Sequence, residues 1–216
     1  MNEHDFEPVP GLPANLPAGE TLLWQGAPRW ASLARTAFHA RKLVIYFAVL
    51  LIWYVVVAVH DGAAIGQALV SASWFAGLAA IALMLVMILA WATARTTLYT
   101  ITSRRVVIRC GIALPLTVNI PFRRIASAGV KTHADGTGDL LLTLSPGDHI
   151  AWAALWPHVR PWHVAKVQPL LRSVPDAQRA AQILARALAA ATAQPVQPVA
   201  ETAAAGSARD DSAVPA

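Results

Sequence analysis

The chain has 216 residues, of which 56% are hydrophobic and only 13% charged, about half the charged share of a soluble domain. That balance argues against an ordinary soluble enzyme, and the single Cys110 excludes a disulfide framework or a multi-thiolate zinc or iron–sulfur site. The formal charge of +5 is segregated, with −4 on residues 1–28, +10 on residues 29–131 and −1 on the remainder. This basic centre suits an anionic membrane surface, and no helix-turn-helix, RNA-recognition or finger signature assigns it to nucleic acid.

Residues 1–28 form an acidic, proline-rich segment that lacks the apolar core of a secretory signal. Residues 29–95 read as an interfacial segment followed by a transmembrane hairpin. LVIYFAVLLIWYVVVAV, residues 43–59, and LVSASWFAGLAAIALMLVMILAWATA, residues 69–94, carry no charge; at ~1.5 Å per residue the first is at the short end for a bilayer core of ~30 Å, with Arg41 and Lys42 able to snorkel and lengthen it, and the second is long enough to cross with some tilt. Neither has the polar face of a buried helix in a soluble protein. Arg35, Arg41 and Lys42 precede the first span and Arg95, Arg104 and Arg105 follow the second, while HDGAAIGQA between them has no Lys or Arg. The positive-inside rule therefore puts both termini in the cytoplasm. Tyr46 and Trp91 fall near the cytoplasmic interface and Trp74 near the opposite one. On the second span Ala72, Ala76 and Ala80, with Ser73 and Gly77 beside them, permit close helix approach, either within the hairpin or against another membrane protein.

Residues 96–191 read as a small cytoplasmic domain. Alternating apolar residues predict strands at 97–102, 105–110, 114–120, 125–132 and 140–144. Ser103–Arg104 and Gly111 supply tight connections. A third span through Leu98–Ile120 is excluded, because Arg104, Arg105 and Arg109 would each cost ~2.5–3.5 kcal/mol near the bilayer centre. Residues 151–175, with three tryptophans and four prolines, read as irregular. Asp176 then caps an amphipathic helix whose stripe is Ala180, Ile183, Leu184, Ala187 and Leu188. The fold class expected is α+β, a two-helix hairpin followed by a pleckstrin-homology-like β domain closed by this helix, and residues 192–216 form a disordered Ala/Pro-rich tail.

No catalytic residue is predicted. There is no H-E-x-x-H pair and no glycine-rich phosphate loop, and neither Ser127 nor Ser145 sits in a nucleophile elbow. Asp135 to Asp139, DGTGD, reads as a turn rather than a metal loop, so no metal site is assigned. His39 and His60, at the two ends of the first span, are the candidate ligands for a tetrapyrrole such as bacteriochlorophyll. Trp156, His158, Arg160 and Trp162 have the composition of a partner-binding hot spot; the alternative is a loop that caps the sheet and buries Trp156 and Trp162. Arg41, Lys42, Arg95, Arg123 and Arg124 are the membrane-surface candidates.

The stretches FEPVPGLPANLPAGETLLWQGAPRWASLARTAFHARKLVIYF, TLYTITSRRVVIRCGIALPLTVNIPFRRIASA, HADGTGD and LWPHVRPWHVAKVQPLLRSVPDA together resemble the PuhB family of photosynthetic complex assembly proteins of purple bacteria. GETLLWQGAP before the hairpin and LYTITSRRVVIR after it are shared more widely among bacterial pleckstrin-homology-like membrane proteins, whereas WPHVRPW is more specific. The resemblance covers residues 6–188. It implies a multi-pass protein of the inner, intracytoplasmic membrane that is not an enzyme and that binds nascent reaction-centre and core antenna subunits transiently. Family members are drawn with three spans, where the arginines here argue for two. The rival readings are a carrier that delivers bacteriochlorophyll and a lipid-sensing membrane protein; a homodimer is left open.

Overall fold

A computed structural model of the chain describes residues 11–12, 15–145, 155–161 and 167–192. Their element order is β1 (Leu22–Gly26), α1 (Trp30–Thr36), α2 (Ala40–His60), α3 (Ile65–Thr96), β2 (Leu98–Thr102), β3 (Arg105–Cys110), β4 (Leu116–Pro121), a 3₁₀ turn (Phe122–Arg124), β5 (Ile125–Thr132), β6 (Thr137–Leu144), β7 (Leu170–Pro175) and α4 (Ala177–Thr192). The fold is α+β.

The two uncharged stretches form α2 and α3, both long and apolar enough to cross a membrane. They stand as an antiparallel pair whose outer side chains are exposed; Trp53 is 68% exposed and Trp74 78%. Along most of α3 only Ala68, Ala72 and Ala79 are buried, and their small size lets α2 approach closely. Tyr54 and Phe75 pack across the pair with ring centroids 4.9 Å apart. The stripe of small residues thus divides. Ala72 faces α2, while Ser73, Ala76, Gly77 and Ala80 remain exposed on another side of the helix.

Leu98–Ile120 is strand, not a third span. The first sheet has the order β1-β2-β3-β4 and the second β5-β6-β7, with every pairing antiparallel. Between β2 and β3 the Thr102 hydroxyl accepts the backbone N–H groups of Arg104 and Arg105 at 3.2 and 3.0 Å. The core gathers Tyr99, Ile101, Ile108 and Ile120 from the first sheet, Leu140, Leu142 and Leu171 from the second, and Ala180, Leu184 and Ala187 from α4, with Ile183 and Leu188 at its margin. The predicted helical stripe is the one that packs.

Two elements differ from the expectation. The segment 1–28 was expected to stand outside the domain, yet its Leu22–Gly26 pairs with β2 as an edge strand. Two of its five residues are exposed and none is fully buried, so no alternation marks it. Part of the stretch read as irregular is β7, whose first five residues are all buried, Arg172 and Ser173 among them, so it too lacks alternation. A bulge opposite Asp139 places Ser173 at φ 51.

Candidate functional site

The root of the hairpin is built from four chain segments. Only Thr97 separates α3 from β2, so the helix feeds directly into the first sheet. On the other side α1 packs against α3 and β7, and Ala34, Ala40 and Ala90 form a small core with Phe38 beside it. The bulge holds α1 in place because it frees the backbone of Ser173. Ser173 N–H donates to Asp139 Oδ1 at 2.9 Å, and its carbonyl accepts Arg29 N–H at 2.9 Å. The Ser32 and Thr137 hydroxyls meet at 2.7 Å in a buried contact.

The DGTGD loop serves this root. Asp135 Oδ1 accepts Thr137 N–H and hydroxyl at 3.1 and 2.6 Å, and Arg35 Nη2 reaches Oδ2 at 2.6 Å. The Thr137 hydroxyl above all, with Arg35, holds the Asp135 carboxyl below the usual carboxylate range. His133 Nε2 lies 3.1 Å from Asp139 Oδ2, without the angle of a hydrogen bond. The two aspartates therefore point to different partners, as a turn requires.

The tryptophan-rich segment is where the structure corrects the sequence reading. His158 is fully buried and belongs to the domain's interior rather than to a partner surface. Its Nδ1 lies 2.7 Å from the Tyr99 hydroxyl and its Nε2 3.0 Å from the Thr97 hydroxyl. The Tyr99 hydroxyl in turn accepts Arg172 N–H at 3.1 Å. Burial, and secondarily the Arg172 charge, pushes the His158 pKa down to about 3, so the ring is neutral and one nitrogen accepts where the other donates. Burial likewise lowers the pKa of Arg172. Its Nη2 donates to the Val159 carbonyl at 3.0 Å.

Leu155 and Val159 join the core, while Trp156 stays 48% exposed, edge-on to Phe38 with centroids 5.7 Å apart. Trp156 therefore does not follow the capping alternative, which would bury it; the inward-facing residues of this segment are Leu155, His158 and Val159. Arg160 is exposed and donates to Gln168 Oε1 at 3.0 Å. Trp162 lies outside the described residues, as do residues 1–10 and the tail from 193 onward.

Arg41 and Lys42 are exposed at the start of α2, and Arg95 stacks over Trp91 at 5.4 Å from its centroid. Arg123 and Arg124 are exposed on the 3₁₀ turn. His39, at φ 56, precedes α2 and contacts the Ala37 carbonyl at 3.1 Å. His60 ends the helix 3.5 Å from Asp61. About 30 Å of helix separates the two rings. An apolar groove of about 590 Å³ opens between α2 and α3 along Phe47, Leu50, Tyr54, Phe75 and Leu78, and neither histidine lines it.

Sequence reasoning missed Glu20, whose side chain is 3% exposed. It accepts Arg105 Nε at 2.8 Å and Nη2 at 3.1 Å, and the Thr102 hydroxyl at 2.7 Å. The signal was the lone acid at the head of GETLLWQGAP, just before an apolar run. Glu20 latches the N-terminal segment to the first sheet.

The family model of the bacterial PH domain matches residues 36–188, hairpin included. An uncharacterised 23.7 kDa protein from the puhA 5′ region of Rhodobacter capsulatus is 39% identical over 198 residues, covering 90% of this chain and 92% of the relative. No solved structure matches. With a hairpin, two antiparallel sheets and a closing helix spanning the matched residues, the chain belongs to the bacterial PH domain family.

Proposed function

We propose that the protein is a non-enzymatic membrane assembly factor that binds nascent subunits of the photosynthetic reaction centre and core light-harvesting antenna transiently. The observation that carries this reading is a hairpin bare on nearly its whole circumference and rooted without a flexible linker in a PH-like domain. Bare apolar helices suit lipid and membrane partners rather than water. The relative from the puhA 5′ region supports a photosynthesis operon context. In this reading the hairpin spans the inner, intracytoplasmic membrane with both termini cytoplasmic, because Arg35, Arg41, Lys42, Arg95, Arg104 and Arg105 all flank one end of the pair. The outward stripe Ser73, Ala76, Gly77 and Ala80 meets membrane subunits laterally, and Arg123 and Arg124, beside Arg104 and Arg105 at the end of the first sheet away from the hairpin, face an acidic subunit rather than lipid. The domain's buried polar groups hold the root of the hairpin, which is a structural task and not a catalytic one.

The test is mild-detergent affinity purification of the tagged protein from phototrophically growing cells, with co-eluting polypeptides and the near-infrared spectrum both recorded. Reaction-centre or antenna polypeptides in substoichiometric amounts are expected. Pigment without those polypeptides would replace the reading with a pigment carrier whose tail-binding site is the groove between α2 and α3. Neither polypeptide nor pigment would overturn it in favour of a lipid-sensing protein.

A further inference from the structure

The two ends of the first sheet differ in chemistry. At one end lie Glu20, Ser103, Arg104 and Arg105, polar and hydrogen-bonded. At the other, between β3 and β4, the chain reads Gly111-Ile112-Ala113-Leu114-Pro115-Leu116, with no polar side chain. Tips of β-hairpins in water are normally polar. Here Ile112 is 48% exposed, Leu114 83% and Leu116 36%. The turn is tight, since Gly111 sits at φ 124 and a Cβ there would come within 2.0 Å of the Leu114 carbonyl oxygen. The apolar side chains are presented by a constrained backbone.

The register shows which way this tip points. Leu98 lies two residues beyond the end of α3 and pairs with Arg109, and Cys110 pairs with Leu116. The tip therefore projects from the end of the sheet where the hairpin enters, the end to which α3 descends through its last turns with Arg95 stacked over Trp91. The polar end is removed by the six residues of β3, about 20 Å at ~3.3 Å per residue. Ala40 and Ala90 share one small core, so α2 begins level with Ala90. The six residues of α3 from Trp91 to Thr96 continue toward the domain by about 9 Å at ~1.5 Å per residue, slightly more than the ~5–7.5 Å of one headgroup layer.

We propose that the Ile112–Leu116 tip is an interfacial anchor that inserts into the cytoplasmic leaflet beside the hairpin. It is a third membrane contact, made by a β-turn instead of a third span. Its occupant is lipid, because the tip continues the bare apolar surface of α2 and α3 on the same end of the domain, with Arg95 and Arg109 at the level of the headgroups. The inference rests on the membrane-spanning reading of the hairpin.

The experiment uses the full chain in vesicles of phosphatidylcholine and phosphatidylglycerol, with a nitroxide attached at one introduced cysteine at a time. Cys110 is buried and its thiol pKa is raised by burial, so it labels slowly and the unaltered chain measures the background. Leu114→Cys should give a label reached by dissolved oxygen and shielded from a water-soluble nickel chelate, at or below the depth of the phosphates. Arg104→Cys, at the polar end, should report water. A label at position 114 as accessible to nickel as that at 104 would overturn the anchor. So would one shielded from both oxygen and nickel, which marks a protein contact. Leu50→Cys, in the middle of α2, keeps the readings apart. If it reports the bilayer core while position 114 reports water, only the anchor falls; if it too reports water, the spanning reading falls and the anchor with it.

Discussion

Buried His158 departs far from its ordinary protonation chemistry, in the pH range where the chain can be tested. Its pKa falls from 6.5 to about 3 in the folded chain, whereas the unfolded chain takes up a proton near the ordinary value. Stability from the neutral ring is therefore complete above about pH 6.5 and declines by up to ~1.4 kcal/mol per pH unit as the pH falls toward about 3. The thermal midpoint of the wild-type chain in detergent should drop more steeply between about pH 7.5 and about pH 4.5 than that of His158→Gln; parallel slopes would contradict the assignment. Glu20 makes the second residue-level prediction. Its carboxylate is almost wholly buried while Arg105 is 28% exposed, so Glu20→Ala should cost about 3 kcal/mol, the low end for breaking a buried pair because water can still reach the guanidinium. Denaturant unfolding in detergent checks it, and a loss below about 1 kcal/mol would place the pair among weak surface bridges.

At the scale of elements, α3 presents two small-residue faces with different uses. Ala72 is buried against the neighbouring helix, whereas a Cβ added at Gly77 meets nothing within 4 Å. Gly77→Leu should leave the fold within about 0.5 kcal/mol of wild type and reduce recovery of partner polypeptides several-fold, while Ala72→Leu should disrupt the hairpin itself. Unchanged recovery with Gly77→Leu would remove the outward stripe as a docking face. Elements were legible in the sequence where one face is buried and the flanks are polar. IASAGVKT at 125–132 is β5 to the residue, and RVVIRC is β3. Edge strand β1 escaped because it is half exposed, and β7 because tertiary contacts bury Arg172 and Ser173. The tryptophan segment misled for a related reason. Composition cannot tell that Leu155, His158 and Val159 turn inward while Trp156 and Arg160 turn out, since that choice depends on Thr97 and Tyr99, some sixty residues earlier.

On the scale of the whole molecule, the proposed membrane orientation rests on the sorting of charge and apolar surface. Arg35, Arg41, Lys42 and Arg95 flank one end of a bare helical pair, and the domain is fixed to that end by the direct passage of α3 into β2 and by the contacts of α1 with the bulge at Ser173. Such a rigid root would hold the domain at a set height over a membrane, where it could meet the cytoplasmic face of a nascent complex. Reversing both exposed arginines, Arg123→Glu with Arg124→Glu, should lower the yield of assembled complex without lowering the protein's own level; an unchanged yield would exclude them from the contact surface. The central claim of assembly is tested most directly by deleting the gene in frame and measuring reaction-centre and core antenna absorption in membranes from phototrophically induced cells, with subunit transcripts followed in parallel. Reduced absorption with unchanged transcripts, restored by the wild-type gene, is the predicted result, and full absorption in the deletion strain would contradict the account.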